Sequence, residues 1–494
     1  MRGATRARAS QIGFGLQPAP HHLWTIALIA GPLLAIALAA GGAARLVAGG
    51  AILLALVAGL SSASRAIRDG VFSVEVPLVL LVLSTLVFRV RDAETLASNP
   101  LDSAGAVRVA FVGLALLLGA HALLLSERGA DAVRRLTSRP FRIYLAYIAV
   151  VVIGALLSSR PTLTSYRAFE LLTGAVVIAG ALQVVGRLAV RRLVSLLYWS
   201  VVGLILTVWA GVLIAPSLAL SPVGERFSFG APIPWRIVGV MPVMSANFVG
   251  TLGVLLFLWS LAYWLREDRM GVGPRPSIAG SLTLLGLMTL LAAQYRTGYA
   301  AALAGVGVLL LLRKRTGIAV LLLTVALTAG VSGAVSGSDV EGFVLRGQSA
   351  EVATGLTGRT IWWEEALEVF RESPLIGGGL LTASRFEVLA ELGATTTSTI
   401  HSTWIEVLVG TGLVGASLIL AAFLITFRRS WAEARSPAGS VIPALLMTIL
   451  LVRSLTANTF ESFGFEALLF MTVCVWLSDD RVARRPTRET IRAA

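Results

Sequence analysis

Leu284 to Arg315 reads LLGLMTLLAAQYRTGYAAALAGVGVLLLLRKR, two apolar runs with a turn of a few residues between them. Neither run has the polar face that a helix at the surface of a soluble core requires. A run of roughly 17 to 25 apolar residues is the length that crosses a ~30 Å hydrocarbon layer as a helix. In that layer every backbone group must bond internally, so each run is expected to be a transmembrane helix. Arg313, Lys314 and Arg315 close the second run, and Arg296 sits in the turn.

The same pattern extends along the whole chain of 494 residues, which is 56% hydrophobic and only 14% charged, with a mean hydropathy of +0.83. Candidate spans lie near residues 23–43, 46–63, 72–89, 105–125, 141–159, 168–186, 193–214, 240–265, 277–294, 297–312, 317–335, 403–427, 439–457 and 464–478. The fold class is therefore all-α, a polytopic integral membrane protein with about 12–14 transmembrane helices. With the N-terminus inside, the inner segments collect about 27 of the 41 basic residues, as cytoplasmic loops should. The net charge of +14 is on this reading a topology signal, and no soluble basic domain that would bind nucleic acid is expected. Cys474, the single cysteine, excludes a disulfide within the chain and falls in an apolar run as a small buried residue. The Arg-rich start and the Ala-rich LAAGGAA segment are read as an uncleaved first span, because another span follows at once.

This map divides the chain into a basic cytoplasmic tail (1–22), eleven spans (23–335), one large extracytoplasmic loop (336–402), three further spans (403–478) and a second basic cytoplasmic tail (479–494). A loop of that length is usually functional or disordered. An ordered, amphipathic helix is expected in it, capped by Thr357, running through Ile361, Trp362, Trp363, Ala366, Leu367, Val369 and Phe370, and ended by Pro374 and Gly377 to Gly379. Glu364, Glu365 and Glu368 fall largely on its other face.

The loop face carries arginines against the positive-inside tendency: Arg160, Arg167, Arg226, Arg236, Arg296, Arg346, Arg359, Arg371 and Arg385. Planar bidentate binding of a phosphate is a physical reason to hold them there. Arg359 is best placed, in a first helical turn where free N–H groups also favour an anion. Arg236 and Arg296 are assigned with it, whereas Arg346, Arg371 and Arg385 are expected to pair with acidic residues or lipid headgroups. His401 is the one histidine of the four on this face, at the start of a span, where a neutral imidazole suited to a general base is expected. Thr403 and Glu406 read as a capping box, Thr403 being the N-cap and Glu406 reaching back. Metal-ligand spacing, a Walker loop, a dinucleotide glycine pattern and a Gly-x-Ser-x-Gly elbow are all missing from the sequence, so no cofactor or metal is expected.

Several of these pieces together resemble a known family. Gly358-Arg359 followed by Trp362 and Trp363, Phe370 with Pro374-Leu375-Ile376-Gly377-Gly378-Gly379, and His401-x-x-Trp404-Ile405-Glu406 leading to Gly412-Leu413-x-Gly415 resemble the bacterial O-antigen ligase and polymerase superfamily. Arg236-x-x-Gly239 with Ser245-Ala246-Asn247, and Arg296-Thr297-Gly298, fit the same order over roughly residues 230 to 430. The chain departs from the family in having Ser402 after the histidine, Ser245-Ala246-Asn247 for an Asn-Pro-Asn type motif, and Tyr295 where a serine is common.

The resemblance implies a GT-C-like, metal-independent glycosyltransferase of the inner membrane. Its site would face outward and take a glycan from a polyprenyl (undecaprenyl) diphosphate donor to a hydroxyl of a lipid, glycan or protein acceptor, among membrane lipids. His401 would be the catalytic base and Arg236, Arg296 and Arg359 the diphosphate ligands, with Glu406, Arg160, Arg167, Trp362 and Trp363 in support. Polymerisation of lipid-linked repeat units by the same chemistry is an alternative. A transporter or flippase is the other, although transporters concentrate polar groups at the midplane, and the intramembrane charges here are sparse: Glu75, Glu170, Arg453 and Glu466.

Overall fold

The computed structural model describes residues 71–86, 103–124, 138–185, 187–222, 233–268, 272–313, 359–392, 399–437 and 439–477. The expected spans 23–43, 46–63 and 317–335, both tails, Arg226, Arg346 and the Thr357 cap lie outside the described residues.

Every other expected span is a helix. In chain order these are α1 (Val71–Thr85), α2 (Ser103–Leu124), α3 (Arg139–Leu157), α4 (Pro161–Val185) and α5 (Arg187–Ile214). A short α6 (Pro216–Ala219) follows, then α7 (Ala246–Trp264), α8 (Pro276–Ala292) and α9 (Arg296–Leu312). The loop helix is α10 (Arg359–Glu372), and α11 (Thr403–Ala434), α12 (Ile442–Ser454) and α13 (Phe465–Trp476) complete the set. Six of these helices are long and apolar enough to cross a membrane, and large apolar side chains such as Leu117, Leu156 and Leu213 point out of the bundle, where only lipid would cover them. The chain is an all-α polytopic membrane protein.

The helices pack through small residues, as they must where the surrounding lipid is as apolar as their side chains. In the antiparallel pair α7 and α8 the backbones nearly touch: a methyl group on Gly286 would lie 2.4 Å from the nitrogen of Phe257, and one on Gly253 would lie 2.7 Å from that of Leu290. The α2 and α4 pair is equally close, with Gly180 set against the carbonyl of Gly119.

Two consequences bear on the site. First, the ends assigned to one face by the charge pattern do share one end of the bundle. Gln294, between α8 and α9, donates to the carbonyls of Ile233 and Trp235, and Ser158, after α3, meets Thr382 of the loop. At the opposite end Arg313 pairs with Glu267, and Ser138 bonds the carbonyl of Cys474. Second, α12 and α13 have 13 and 12 residues, about 20 Å of helix each, short of the ~30 Å layer. The ten residues between them are non-helical and largely enclosed by protein. Two of their carbonyls are satisfied from α3, where the hydroxyls of Tyr144 and Tyr147 donate to the carbonyls of Phe460 and Glu461, both at 2.8 Å.

α11 is broken. Gly412 has φ 63° and ψ −168°, so the helix loses its internal bonds there, and the loop takes them up. Leu413 and Val414 donate to the carbonyls of Pro374 and Leu375, while Gly378 and Gly379 donate to those of Val409 and Gly410. The glycines of both motifs are needed because the two backbones touch: a Cβ on Gly412 would lie 2.3 Å from the carbonyl carbon of Leu375, and one on Gly377 2.5 Å from that of Gly410. A β-ribbon of Leu220–Pro222 (β1) and Trp235–Ile237 (β2) lies at the same end, pairing Ser221 with Arg236.

Candidate active site

The loop helix α10 is amphipathic as expected, with its faces now fixed. Trp362, Trp363, Ala366, Val369 and Phe370 pack on Ala383, Val388, Leu389, Ile400 and Val409, forming a small core separate from that of the bundle. Glu364 and Glu368 point to solvent, and so do Ile361 and Leu367 of the apolar series. Arg371 pairs with Glu368, in keeping with the ion-pair reading.

This packing sets Arg359 and His401 side by side. The indole Nε1 of Trp363 donates to the carbonyl of Ile400 at 2.9 Å, fixing the backbone just before His401. The Trp362 ring lies 6.1 Å from the imidazole, tilted by 34°. His401 itself has φ 55°, a left-handed conformation in which histidine is among the less disfavoured residues. Its Nδ1 lies 3.4 Å from the Thr399 hydroxyl, which leaves Nε2 as the other ring nitrogen. Burial, and then the charge of Arg359, lower the His401 pKa to about 4. The neutral imidazole expected from the sequence is therefore present, but the main cause is enclosure beside a cation.

Arg359 donates from Nη1 to the carbonyl of Thr456 at 3.0 Å. Burial lowers its pKa; Tyr295 opposes this, and Arg296 adds to it. Arg296 opens α9, so α9, α10 and the start of α11 bring Arg296, Arg359 and His401 to one end of the bundle. Two cations this near one another create the field an anion would fill. Arg236 is on β2, whose Trp235 carbonyl is bonded by Gln294, two residues before Arg296. Its Nε is buried without a hydrogen-bond partner, and burial lowers its pKa as well. A half-buried guanidinium whose Nε is enclosed and open as a donor suits an anionic ligand. Ser245 caps α7 by accepting from the Phe248 N–H, a local role for its motif.

Several supporting residues have structural partners. Glu406 makes no capping box: Ser402 is the N-cap, and the Glu406 carboxylate accepts from the Leu381 N–H at 3.0 Å and the Ser384 hydroxyl at 2.8 Å. Thr403, the expected cap, is turned toward Ala457, Thr459 and Glu461. The sequence pattern fitted a local cap, but both side chains find closer partners across the fold. Arg167 pairs with buried Glu170, which also binds Arg108, and Arg160 stacks 5.3 Å from the Phe386 ring centre. Trp362 and Trp363 act on His401 by the contacts above.

Sequence reasoning missed the α12–α13 loop. Thr456 bonds Arg359 and also Thr297, and Arg453 pairs with Glu466 at 3.0 Å while its guanidinium lies 5.7 Å from the ring centre of Tyr295. The available signal was the polar run from Arg453 to Ser462 between two apolar runs too short to cross a membrane.

Residues 281–420, from α8 to the first half of α11, match the family described as O-Antigen ligase. That stretch contains Arg296, Arg359 and His401 and stops short of the α12–α13 loop. The exopolysaccharide production protein ExoQ of Rhizobium meliloti (strain 1021) is 29% identical over 217 residues, 40% of this chain and 48% of that protein. The chain thus matches about half the length of this curated relative. The motif order, the membrane-spanning helical architecture and these two matches support a relationship to the O-antigen ligase and polymerase superfamily.

Proposed function

We propose that the protein transfers a glycan from a polyprenyl diphosphate carrier to an acceptor hydroxyl, in a site open to the outer face of the cytoplasmic membrane. The observation that carries this reading is the convergence of Arg296, Arg359 and a neutral His401 at one end of the bundle.

Each residue has a chemical task in the reaction. The acceptor oxygen attacks the anomeric carbon, the bond from that carbon to the diphosphate oxygen breaks, and the carrier leaves with its diphosphate more negative than before. Arg296 and Arg359, with Arg236 from the ribbon, oppose that growing charge, the type of stabilisation that contributes most to many enzymes. His401 accepts the acceptor's proton at Nε2, as Thr399 is against the other nitrogen. The indole of Trp363 and the ring of Trp362 keep the imidazole in place.

The four intramembrane charges read from the sequence favour this over transport, since each is held in an ion pair: Glu75 with Arg192, Glu170 with Arg108 and Arg167, and Arg453 with Glu466. Within the transferase reading, polymerisation of lipid-linked repeats is favoured by the relative's role in exopolysaccharide production. Ligation of a finished chain uses the same donor chemistry.

Reconstitution in liposomes with a polyprenyl-diphosphate-linked glycan tests the proposal. Wild type is expected to release free polyprenyl diphosphate when an acceptor is present, and His401→Ala to slow release about 10²–10⁴-fold with donor binding intact. Movement of the lipid-linked glycan between leaflets without release would overturn the assignment. Product length then separates polymerase from ligase.

A further inference from the structure

Arg296 opens α9, Arg359 opens α10 and His401 lies two residues before α11, and all three helices are bonded to one short non-helical segment. Thr456, its second residue, makes two of these bonds. The carbonyl of Thr456 accepts from Nη1 of Arg359 at 3.0 Å, and its hydroxyl lies 2.9 Å from that of Thr297, the neighbour of Arg296. One residue on, the Ala457 carbonyl accepts from the N–H of Thr403, two residues after His401, at 3.1 Å.

The segment is itself held firmly. Its Thr456 N–H donates to the carbonyl of Arg453, and the Thr459 N–H donates to the buried Glu461 carboxylate at 2.8 Å. The Thr403 hydroxyl lies 2.9 Å from the same carboxylate oxygen. Trp404 reaches across to Ser454, and the tyrosines of α3 bind the carbonyls of Phe460 and Glu461. Such a segment can serve as a common reference for side chains on separate helices.

A reference is needed because the two arginines repel one another, and a free guanidinium would relax toward water and away from its neighbour. A fixed carbonyl gives Arg359 a partial negative partner, and the hydroxyl pair fixes the first turn of α9. Held in this way, the donors need less rearrangement when an anion arrives.

We propose that Thr456 is a positioning residue for the anion clamp, setting Arg359 through its carbonyl and the Arg296 turn through its hydroxyl. It lies beyond residues 281–420, the part of the chain that matches the family. The proposal rests on the diphosphate reading for the nature of the ligand, and its test uses inorganic pyrophosphate so that the two can fail separately.

Purified full-length protein is titrated with pyrophosphate by calorimetry, as wild type, Thr456→Val, Thr456→Ser, Thr297→Val and the Thr297/Thr456 double valine variant. Thr456→Val, which removes the hydroxyl and keeps the shape, is expected to weaken binding about three- to tenfold, the range for one hydrogen bond. Thr456→Ser should restore it. Thr297→Val should match Thr456→Val, and the double variant should be no weaker than either, because all three delete the same bond. Unchanged binding in Thr456→Val, additive losses in the double variant, or no pyrophosphate binding by wild type would each overturn the proposal. Wild type that binds pyrophosphate in this pattern but releases no polyprenyl diphosphate would sink the transferase reading and leave the role of Thr456 standing.

Discussion

The charge of Arg359 acts on His401 and so couples the proposed acid–base group to the proposed anion site. With its pKa lowered to about 4 by burial and by Arg359, the imidazole stays neutral and able to accept a proton at any ordinary pH. The acid limb of kcat/KM, which reports the free enzyme, is therefore expected near pH 4 and well below the ordinary 6.5. A diphosphate bound at Arg359 offsets the cation and makes His401 a stronger base, so the acid limb of kcat should lie at higher pH than that of kcat/KM. Arg359→Gln should raise the limb of kcat/KM, and pH profiles that coincide with wild type would show that the two groups are not coupled. Stability follows the same sign. As pH falls from about 6.5 toward 4, the unfolded chain takes up a proton that folded His401 refuses, so His401 makes the protein less stable across that window and has no such effect above it. Arg359→Lys keeps the charge and loses the planar fork, and is expected to lower turnover about tenfold or more at saturating acceptor. Wild-type turnover in that variant would remove Arg359 from the clamp.

At the scale of elements, the seam between the loop and broken α11 decides where Arg359 and His401 can be. Gly412 combines φ 63° with a backbone approach that leaves no room for a methyl group. Gly412→Ala is expected to destabilise the protein by about 2 to 5 kcal/mol, from a left-handed non-glycine residue plus overpacking. Gly113→Ala is the control: it is helical, with nothing within 4 Å of the added carbon, and should change stability by less than about 1 kcal/mol. Thermal unfolding in detergent of both variants checks the contrast, and similar melting temperatures would mean that the seam is not rigid. The glycine motifs were legible in the sequence as the end of a helix and the start of a span. Their reciprocal hydrogen bonding was not, since it joins residues some 35 positions apart.

For the whole molecule, the described helix ends group as the charge pattern expects, and that pattern would put the Arg359 end outside. With Cys474→Ala as a background, Glu364→Cys on the exposed face of α10 should react with a membrane-impermeant maleimide in intact cells. Arg435→Cys, at the far end of α11, should not. The reverse labelling pattern would put the site on the cytoplasmic side and exclude an extracellular acceptor. The chosen positions are exposed, so neither substitution disturbs the bundle.

The sequence alone determined the membrane-spanning helices, because an apolar run of that length has only one way to satisfy its backbone in lipid. It also singled out the arginine and histidine motifs of the proposed site, because arginines on the face expected to be outside, and the one histidine of four expected there, stand out against so apolar a chain. Only the tertiary structure decided which of those residues meet. The capping box at Thr403 and Glu406 gave way to partners near residues 381–384 and 457–461, Arg167 was taken up by Glu170, and Thr456 became a link between two arginines. A helical period or a short motif encodes neighbours along the chain, whereas these contacts come from helix ends brought together by packing, and no local pattern records them.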